Sequence, residues 1–455
     1  MSEIVRVLKD IASKWRRVWE EKRVYEADAD PLKPKFFITA AFMYPNSPAH
    51  MGHGRTYIIA DILARFKRMQ GYNVLFPMGF HYTGTPIIAM AERIAAKDPR
   101  TLKVFREKYD VPEEVLEKMS DPLYLARYFH EVSKEVYKNY GLSIDWRREF
   151  ATIDPEFRSF IHWQFHRLAE KGFVEQGTHP VGWCPRHQMP VGMHDTEGDV
   201  EPEIGEFVAI MFKDVESEVF LPTATLRPET VLGVTNVWIN PSARYVKIKL
   251  DDGTLWIVGK EASERLLHQM KFEVVEEIDG KDLVGKIVEN PITGERVVVL
   301  PAPFVDPSFA TGVVMSVPAH APYDAAALED IKREMRLADS KLREIVKELT
   351  PRQIIRVPGI EGMPAYVALE RYGVKSQLDR DKLEEATKWV YSTELGRGYM
   401  VEDIHSKVPA IDEETRNFIE KNVSGKSVSE AREAIREFLL KKGRARIVYE
   451  LINKP

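Results

Sequence analysis

The spacing of hydrophobic positions changes character twice along this chain, and each change predicts a different kind of structure. Residues Phe36 to Tyr44 form an apolar, largely aromatic and small-residue run that ends at Pro45-Asn46-Ser47-Pro48, the pattern of a buried strand followed by a break. Immediately afterwards Ile58, Ile59, Ile62, Leu63, Phe66 and Met69 recur at helical spacing, with Arg55, Arg65, Lys67 and Arg68 on the other face and Gly71 at the end. This predicts an amphipathic helix with an isoleucine-rich face. Asn73-Val74-Leu75-Phe76-Pro77 then reads as a second strand. With a helix before them, these elements predict the opening of a doubly wound α/β sheet. From Asp98 to about Gly177 the period is helical throughout, with helices expected over 124–140 and 155–171. Beyond Glu206 the pattern becomes β-rich. Phe207 to Phe212, Tyr245 to Leu250 and Val297 to Leu300 are short apolar or alternating runs between turn residues, with helices expected over 261–269 and 324–335 and a charged helical stretch over 370–442. The predicted organisation is an α/β domain over 1–200, an α+β domain over 201–445, and the start of a return to the first domain over 446–455.

Within the first domain, His50-Met51-Gly52-His53 sits between the predicted strand and the predicted helix. With 12 His and 26 Gly in 455 residues, a His-x-Gly-His string arises by chance only about 0.02 times in such a chain, so its position at a helix start is informative. Free N–H groups and the positive end of the helix dipole favour bound phosphate there, imidazoles can donate to phosphoryl oxygens, and Gly52 leaves room for a nucleotide against the backbone. The segment therefore reads as an ATP site built on His50, Gly52 and His53.

Composition narrows the remaining classes. The chain has 44% hydrophobic and 30% charged residues and a net charge of −5, which fits a globular protein with two or three domains. No stretch approaches the roughly 18 apolar residues of a membrane span, and the polar start lacks a signal peptide's apolar region. A single cysteine, Cys184, excludes an internal disulfide and fits a reducing, cytoplasmic setting. Cys184, His187, His194 and Asp195 lie close in sequence, but structural zinc normally recruits several thiolates, so no metal site is expected. Lys441-Lys442-Gly443-Arg444-Ala445-Arg446 reads equally as a phosphate-binding patch or as a solvated helix end.

The His50–His53 string resembles the adenylation signature of class I aminoacyl-tRNA synthetases. Three further blocks are similar to the leucyl enzymes of archaeal and eukaryotic cytosolic type: Phe76-Pro77-Met78-Gly79-Phe80-His81-Tyr82-Thr83-Gly84-Thr85-Pro86, Thr225-Leu226-Arg227-Pro228-Glu229-Thr230, and Val317-Pro318-Ala319-His320-Ala321-Pro322-Tyr323-Asp324. The resemblance implies the first half of a Rossmann-like catalytic domain with an inserted α+β editing domain, acting on ATP with Mg²⁺, leucine and tRNA(Leu). It implies that Phe42, Tyr44 and His81 border a leucine pocket. It also implies that Thr225, Arg227, Thr230, His320 and Asp324 form an ester-hydrolysing editing site, with Asp324 holding the α-ammonium of a misplaced amino acid and Thr230 blocking a leucyl side chain. Taken singly, the threonines suit any strand end and Asp324 suits a helix cap. The lysine-bearing second ATP motif and the anticodon domain expected of the family are not found in the sequence, which leaves three readings: a synthetase portion completed by a second polypeptide, a free-standing deacylase, or a non-catalytic tRNA-binding subunit.

Overall fold

Two units divide the chain at Pro202 and Glu203, and the computed structural model describes residues 3–196, 200–334 and 340–453 of it. In the first unit, helix α1 (Glu3–Glu21) precedes β1 (Lys35–Phe37), α2 (Met51–Met69), β2 (Asn73–Leu75) and β3 (Met78–Phe80). A helical block follows: α3 (Thr85–Ala95), α4 (Pro99–Glu107), α5 (Glu113–Leu116) and α6 (Pro122–Asn139). Then come β4 (Glu149–Ala151), α7 (Pro155–Glu170) and the hairpin β5 (Gly182–Cys184) and β6 (Met189–Val191). β1 pairs parallel with β2 and β3 parallel with β4, as a doubly wound arrangement requires. The expected long strand is shorter than its apolar run. Regular pairing stops at Phe37 and resumes only as a bridge from Met43 to Phe80, because α2 reaches into the gap, where the Tyr57 hydroxyl donates to the Ala41 carbonyl at 2.6 Å.

The larger difference, from the usual burial of an amphipathic helix's apolar face, concerns α2. Its buried residues are Gly54, Tyr57, Ala60, Asp61 and Ala64, while Ile58, Ile59, Ile62, Leu63, Phe66 and Met69 are all exposed, Met69 by 87%. The helix docks through its small-residue side, which lets the backbone approach the sheet. That side is polar enough to form a network: Asp61 accepts from Arg65 and from both the amide and hydroxyl of Ser143.

The second unit is built on one ten-stranded sheet. Its strands are β7 (Ile204–Asp214), β8 (Val219–Thr225), β9 (Asn236–Ile239), β10 (Arg244–Leu250), β11 (Leu255–Gly259), β12 (Phe272–Asp279), β13 (Ile287–Glu289), β14 (Arg296–Pro301) and β15 (Val314–Ser316), closed by a late strand described below. The spatial order is β12-β10-β11-β8-β7-β13-β14-β9-β15. The sheet curls enough that β15 returns beside β8. Helix α8 (Lys260–Leu266) lies within this run, and helices α9 (Pro322–Glu334), α10 (Ser340–Glu348), α11 (Pro364–Tyr372), α12 (Arg380–Arg397), α13 (Ile404–Lys407), α14 (Glu413–Asn422) and α15 (Val428–Lys441) follow it. Between them β16 (Ile355–Arg356) pairs with β17 (Tyr399–Met400). The last strand, β18 (Ala445–Leu451), pairs antiparallel with the first half of β7. Residues 446–451 therefore continue the second unit, rather than starting a return to the first. The cause is the length of β7, which carries β8 along one edge and has room for both β18 and β13 on the other. The helix expected over 324–335 starts two residues earlier, and its expected last residue lies outside the described residues. Among the described residues no helix is long and apolar enough to cross a membrane.

Candidate functional site

In the first unit the histidine pair caps α2. His50 is the N-cap in an extended conformation (φ −119°, ψ 179°), the Gly52 amide donates to His50 Nδ1 at 3.1 Å, and the His50 amide donates to His53 Nδ1 at 3.3 Å. This is a capping box with imidazoles in place of the usual hydroxyl and carboxylate. Each ring thus spends its Nδ1 lone pair on a backbone amide, so the ring proton sits on Nε2. Burial, then the neighbouring His50, lower the pKa of His53, which favours that neutral form. The rings lie 4.0 Å apart, and no Nε2–H of the pair is engaged by another described residue. A Cβ on Gly52 would stand 2.8 Å from His50 Cε1, so the glycine is required by the cap itself. Two N–H donors at the positive end of a 19-residue helix form a natural anion cradle.

In the same unit, Phe42 and His81 line a cavity of about 350 Å³ with Thr83, Thr152, Arg158 and His162. Phe42 is fixed edge-on against Phe150 at 5.0 Å, and a Cβ on Gly79 would approach Phe42 to 2.7 Å. Tyr44 is not in the lining; its ring packs against His81 at 4.4 Å. His81 Nε2 lies 3.2 Å from the Thr83 hydroxyl, and burial, opposed by a hydrogen bond to Thr83, lowers its pKa. The imidazole therefore serves this cavity as a neutral polar wall. A polar chain not apparent from the sequence links Tyr82 OH to His130 Nδ1, His130 Nε2 to Glu149, and Glu149 to Lys134, each at 2.7 Å. His130, Glu131 and Glu149 have ligand atoms within 4.8 Å of one another, and the Lys134 ammonium pairs with Glu149. In the β5–β6 hairpin Cys184 Sγ is 3.2 Å from His187 Nδ1, and His187 Nε2 is 2.9 Å from Glu92.

The second unit contains a larger cavity, about 800 Å³, lined by Thr225, Arg227, Thr230, Tyr323, Asp324 and Tyr391 among others. Three pieces of chain meet there. The first leaves the end of β8: Thr225 Oγ1 accepts from the Arg227 amide at 2.9 Å, and Thr230 Oγ1 donates to the Arg227 carbonyl at 2.8 Å. The second leaves the end of β15 and enters α9. Here Asp324 does not cap its own helix. Its carboxylate accepts from the Val317 amide at 2.8 Å and from Trp238 Nε1 at 3.1 Å. It is 3% exposed, and burial pushes its pKa up to about 7, against the pull of the two donors.

The third piece is α12, to which sequence reasoning assigned no site residue. Glu394 is fully buried and accepts from Arg227 Nη2 at 2.5 Å and from His320 Nδ1 at 2.7 Å. Tyr391, one turn earlier, covers the Arg227 guanidinium at 4.6 Å. Burial opposes ionisation of Glu394, but His320 and Arg227 outweigh it and hold the carboxyl below its ordinary range. Arg227 Nε also donates to Glu229 at 3.0 Å, whose own pKa is raised, chiefly by burial. His320 is fully buried behind this wall and is not among the residues that line the cavity. The only sign of α12 in the sequence was its charge, and a charged helix more commonly faces solvent.

Comparison with known proteins identifies relatives of the chain. A leucine–tRNA ligase of Pyrobaculum neutrophilum is 51% identical over 460 residues, covering 100% of this chain and 47% of that protein. Leucine–tRNA ligase 2 of Saccharolobus solfataricus is 50% identical over 449 residues, covering 98% and 45%. The chain thus spans about half the length of the curated relatives it matches. Among solved structures, the editing domain of the P. falciparum cytosolic leucyl-tRNA synthetase aligns with a TM-score of 0.45 and 15% identity, over 54% of this chain and 99% of that one. Residues 14–393 match the family described as tRNA synthetases class I (I, L, M and V), and the chain belongs to that family.

Proposed function

We propose that this chain carries out two parts of a leucine–tRNA ligase reaction: binding of ATP and leucine in its first unit and hydrolytic editing of mischarged tRNA(Leu) in its second. The larger cavity carries this reading, because buried Asp324 lines it together with Thr225 and Thr230. For activation, the leucine carboxylate attacks the ATP α-phosphate and pyrophosphate leaves. The Nε2–H groups of His50 and His53 stabilise charge on the phosphoryl oxygens, with Mg²⁺ brought in on the ATP phosphates. Phe42 and His81 border the amino acid, and Tyr44 braces His81. For editing, ionised Asp324 anchors the α-ammonium of the misplaced amino acid and so positions its ester for water. No Ser-His-Asp or Cys-His pair lines this cavity, which supports direct attack by water. A second sieve is needed because a hydrophobic pocket separates near-isosteres by only about 1–3 kcal/mol.

The exposed apolar side of α2 supports a polypeptide segment packing there. Each of its large apolar side chains would contribute about 1.5–3 kcal/mol on full burial, and a continuous apolar stripe of that kind marks an interaction surface. The setting for these substrates is the cytoplasm. The test is to assay the chain alone for hydrolysis of isoleucyl- or norvalyl-tRNA(Leu) and for leucine-dependent pyrophosphate exchange. Hydrolysis without exchange is expected, with exchange restored by adding a polypeptide that carries the lysine-bearing loop. Robust exchange by the chain alone would refute the need for that segment, and absence of hydrolysis would refute the editing site.

A further inference from the structure

We propose that Glu394, on α12, is a positioning residue that fixes the spacing between the threonine wall and the Asp324 turn of the hydrolytic cavity. The inference rests on the editing reading above. Arg227 is the pivot of the threonine wall, since its amide is bound by the Thr225 hydroxyl and its carbonyl by the Thr230 hydroxyl. A movement of Arg227 therefore moves both hydroxyls. The opposite wall is reached through His320, four residues before Asp324; its Nδ1 lies on Glu394 and its carbonyl accepts from Arg227 Nη1 at 3.3 Å. Glu394 bonds to both sides at once, Oε2 on Arg227 and Oε1 on His320, and so reinforces the direct Arg227–His320 contact.

Only a carboxylate satisfies that position. The Ile354 amide donates to His320 Nε2 at 3.0 Å, so the His320 proton lies on Nδ1 and points at Glu394. The guanidinium supplies a second donor from the other side. Two donors converge on one group, and its environment keeps water out. Glutamine has the same shape but offers one acceptor and one donor, so one of the two neighbours must turn away. A buried donor left unpaired displaces its own segment in preference to staying unsatisfied. The helix itself does not depend on Glu394, because Leu383, Ala386 and Val390 anchor α12 through buried apolar faces. The substitution thus acts on the cavity while the helix remains in place.

The test uses the whole 455-residue chain and compares wild type, Glu394→Gln and Glu394→Asp on isoleucyl-tRNA(Leu) and leucyl-tRNA(Leu), alongside thermal unfolding. A displacement of about 1 Å in such a site costs on the order of 10²-fold. Glu394→Gln is therefore expected to lower kcat on isoleucyl-tRNA by roughly 10- to 100-fold with KM within about twofold, and to lower the ratio of isoleucyl to leucyl hydrolysis. Glu394→Asp keeps the charge and should recover part of both. Loss of structure alone would depress both substrates equally and leave the ratio unchanged. Combining Glu394→Gln with Thr230→Ala should give a non-additive effect on the sparing of leucyl-tRNA, since one acts through the other. If folded Glu394→Gln keeps the wild-type ratio, the positioning role is overturned; should Gln fail to fold, an unchanged ratio in Glu394→Asp overturns it equally. A wild-type chain that hydrolyses neither ester removes the editing reading and this role with it, whereas an active wild type with an insensitive Glu394 removes only the latter.

Discussion

The two candidate sites differ in how completely this chain builds them. In the second unit, the β8 turn, the β15–α9 turn and α12 surround one cavity, and Asp324, Glu394 and His320 are each buried with their hydrogen bonds met from within the unit. In the first unit, the His50–His53 cap presents two donors at a helix end, and the helix behind it shows its apolar side to solvent. A buried charge demands a complete shell of partners at folding, because the alternative costs several kcal/mol. A phosphate cradle of backbone and imidazole N–H groups is preorganised by the helix alone and can wait for the rest of its surroundings. The contrast lies in how each set of groups is satisfied: a buried carboxylate in the second unit and a helix N-terminus in the first.

That contrast can be broken most sharply at Asp324. Replacing it by Asn removes the charge and leaves one acceptor for the two donors, the Val317 amide and Trp238 Nε1, which rest on different carboxylate oxygens, and should reduce hydrolysis of isoleucyl-tRNA by at least about 10²-fold. Full activity in Asp324→Asn would end its role as ammonium anchor. The wild-type pH profile is the companion measurement. With a folded pKa of about 7 against roughly 3.9 in an unfolded chain, the native state binds more protons between those values, so stability falls as pH rises from about 4 to about 7 and levels off above it. Enzymatic deacylation, corrected for spontaneous ester hydrolysis, should rise through the same upper limit as the carboxylate ionises. Asp324→Asn should remove both slopes.

His53→Ala probes the open site. In an assembly reconstituted with a polypeptide carrying the lysine-bearing loop, it should lower kcat for pyrophosphate exchange by about 10²–10³-fold, the usual cost of one charge-stabilising donor, while editing by the same protein stays at its wild-type rate. An equal loss in both activities would mean that the two sites are not separable. Thr230→Ala has a smaller expected effect. It should raise hydrolysis of correctly charged leucyl-tRNA by about 10- to 100-fold, in line with roughly 1–3 kcal/mol of steric discrimination; continued sparing of leucyl-tRNA would remove Thr230 from the sieve. The smallest effect is structural. Ile62→Asp on the exposed side of α2 should change the stability of this chain by no more than about 0.5 kcal/mol, yet abolish complementation of exchange. A large loss of stability would show that this face is already covered.

Much of this molecule follows from sequence. The helices over Pro122–Asn139 and Pro155–Glu170 lie within two residues of their periodic signals, and the β-rich runs around Phe207, Tyr245 and Val297 are strands. These are local properties: side-chain period and turn residues act within a few positions. The histidine cap is legible for the same reason, because all its hydrogen bonds close within four residues. Periodicity also revealed that α2 has an apolar face, but not which face would be buried. That depended on the close approach permitted by Gly54, Ala60 and Ala64 and on the Asp61–Ser143 contact across 82 positions.

What tertiary structure alone decided is the composition of the second site. Thr225 and Asp324 stand about a hundred residues apart and meet because the curled sheet brings β15 back beside β8. Glu394 joins them from a helix whose sequence looks like any solvated one. Its carboxylate is fully buried only because Arg227 and His320, 167 and 74 positions away, both arrive as donors. Spacing along a chain records which atoms a residue carries and which local turn it favours; the pairing that makes a charge tolerable inside a protein is set by distant segments, and no local pattern encodes it.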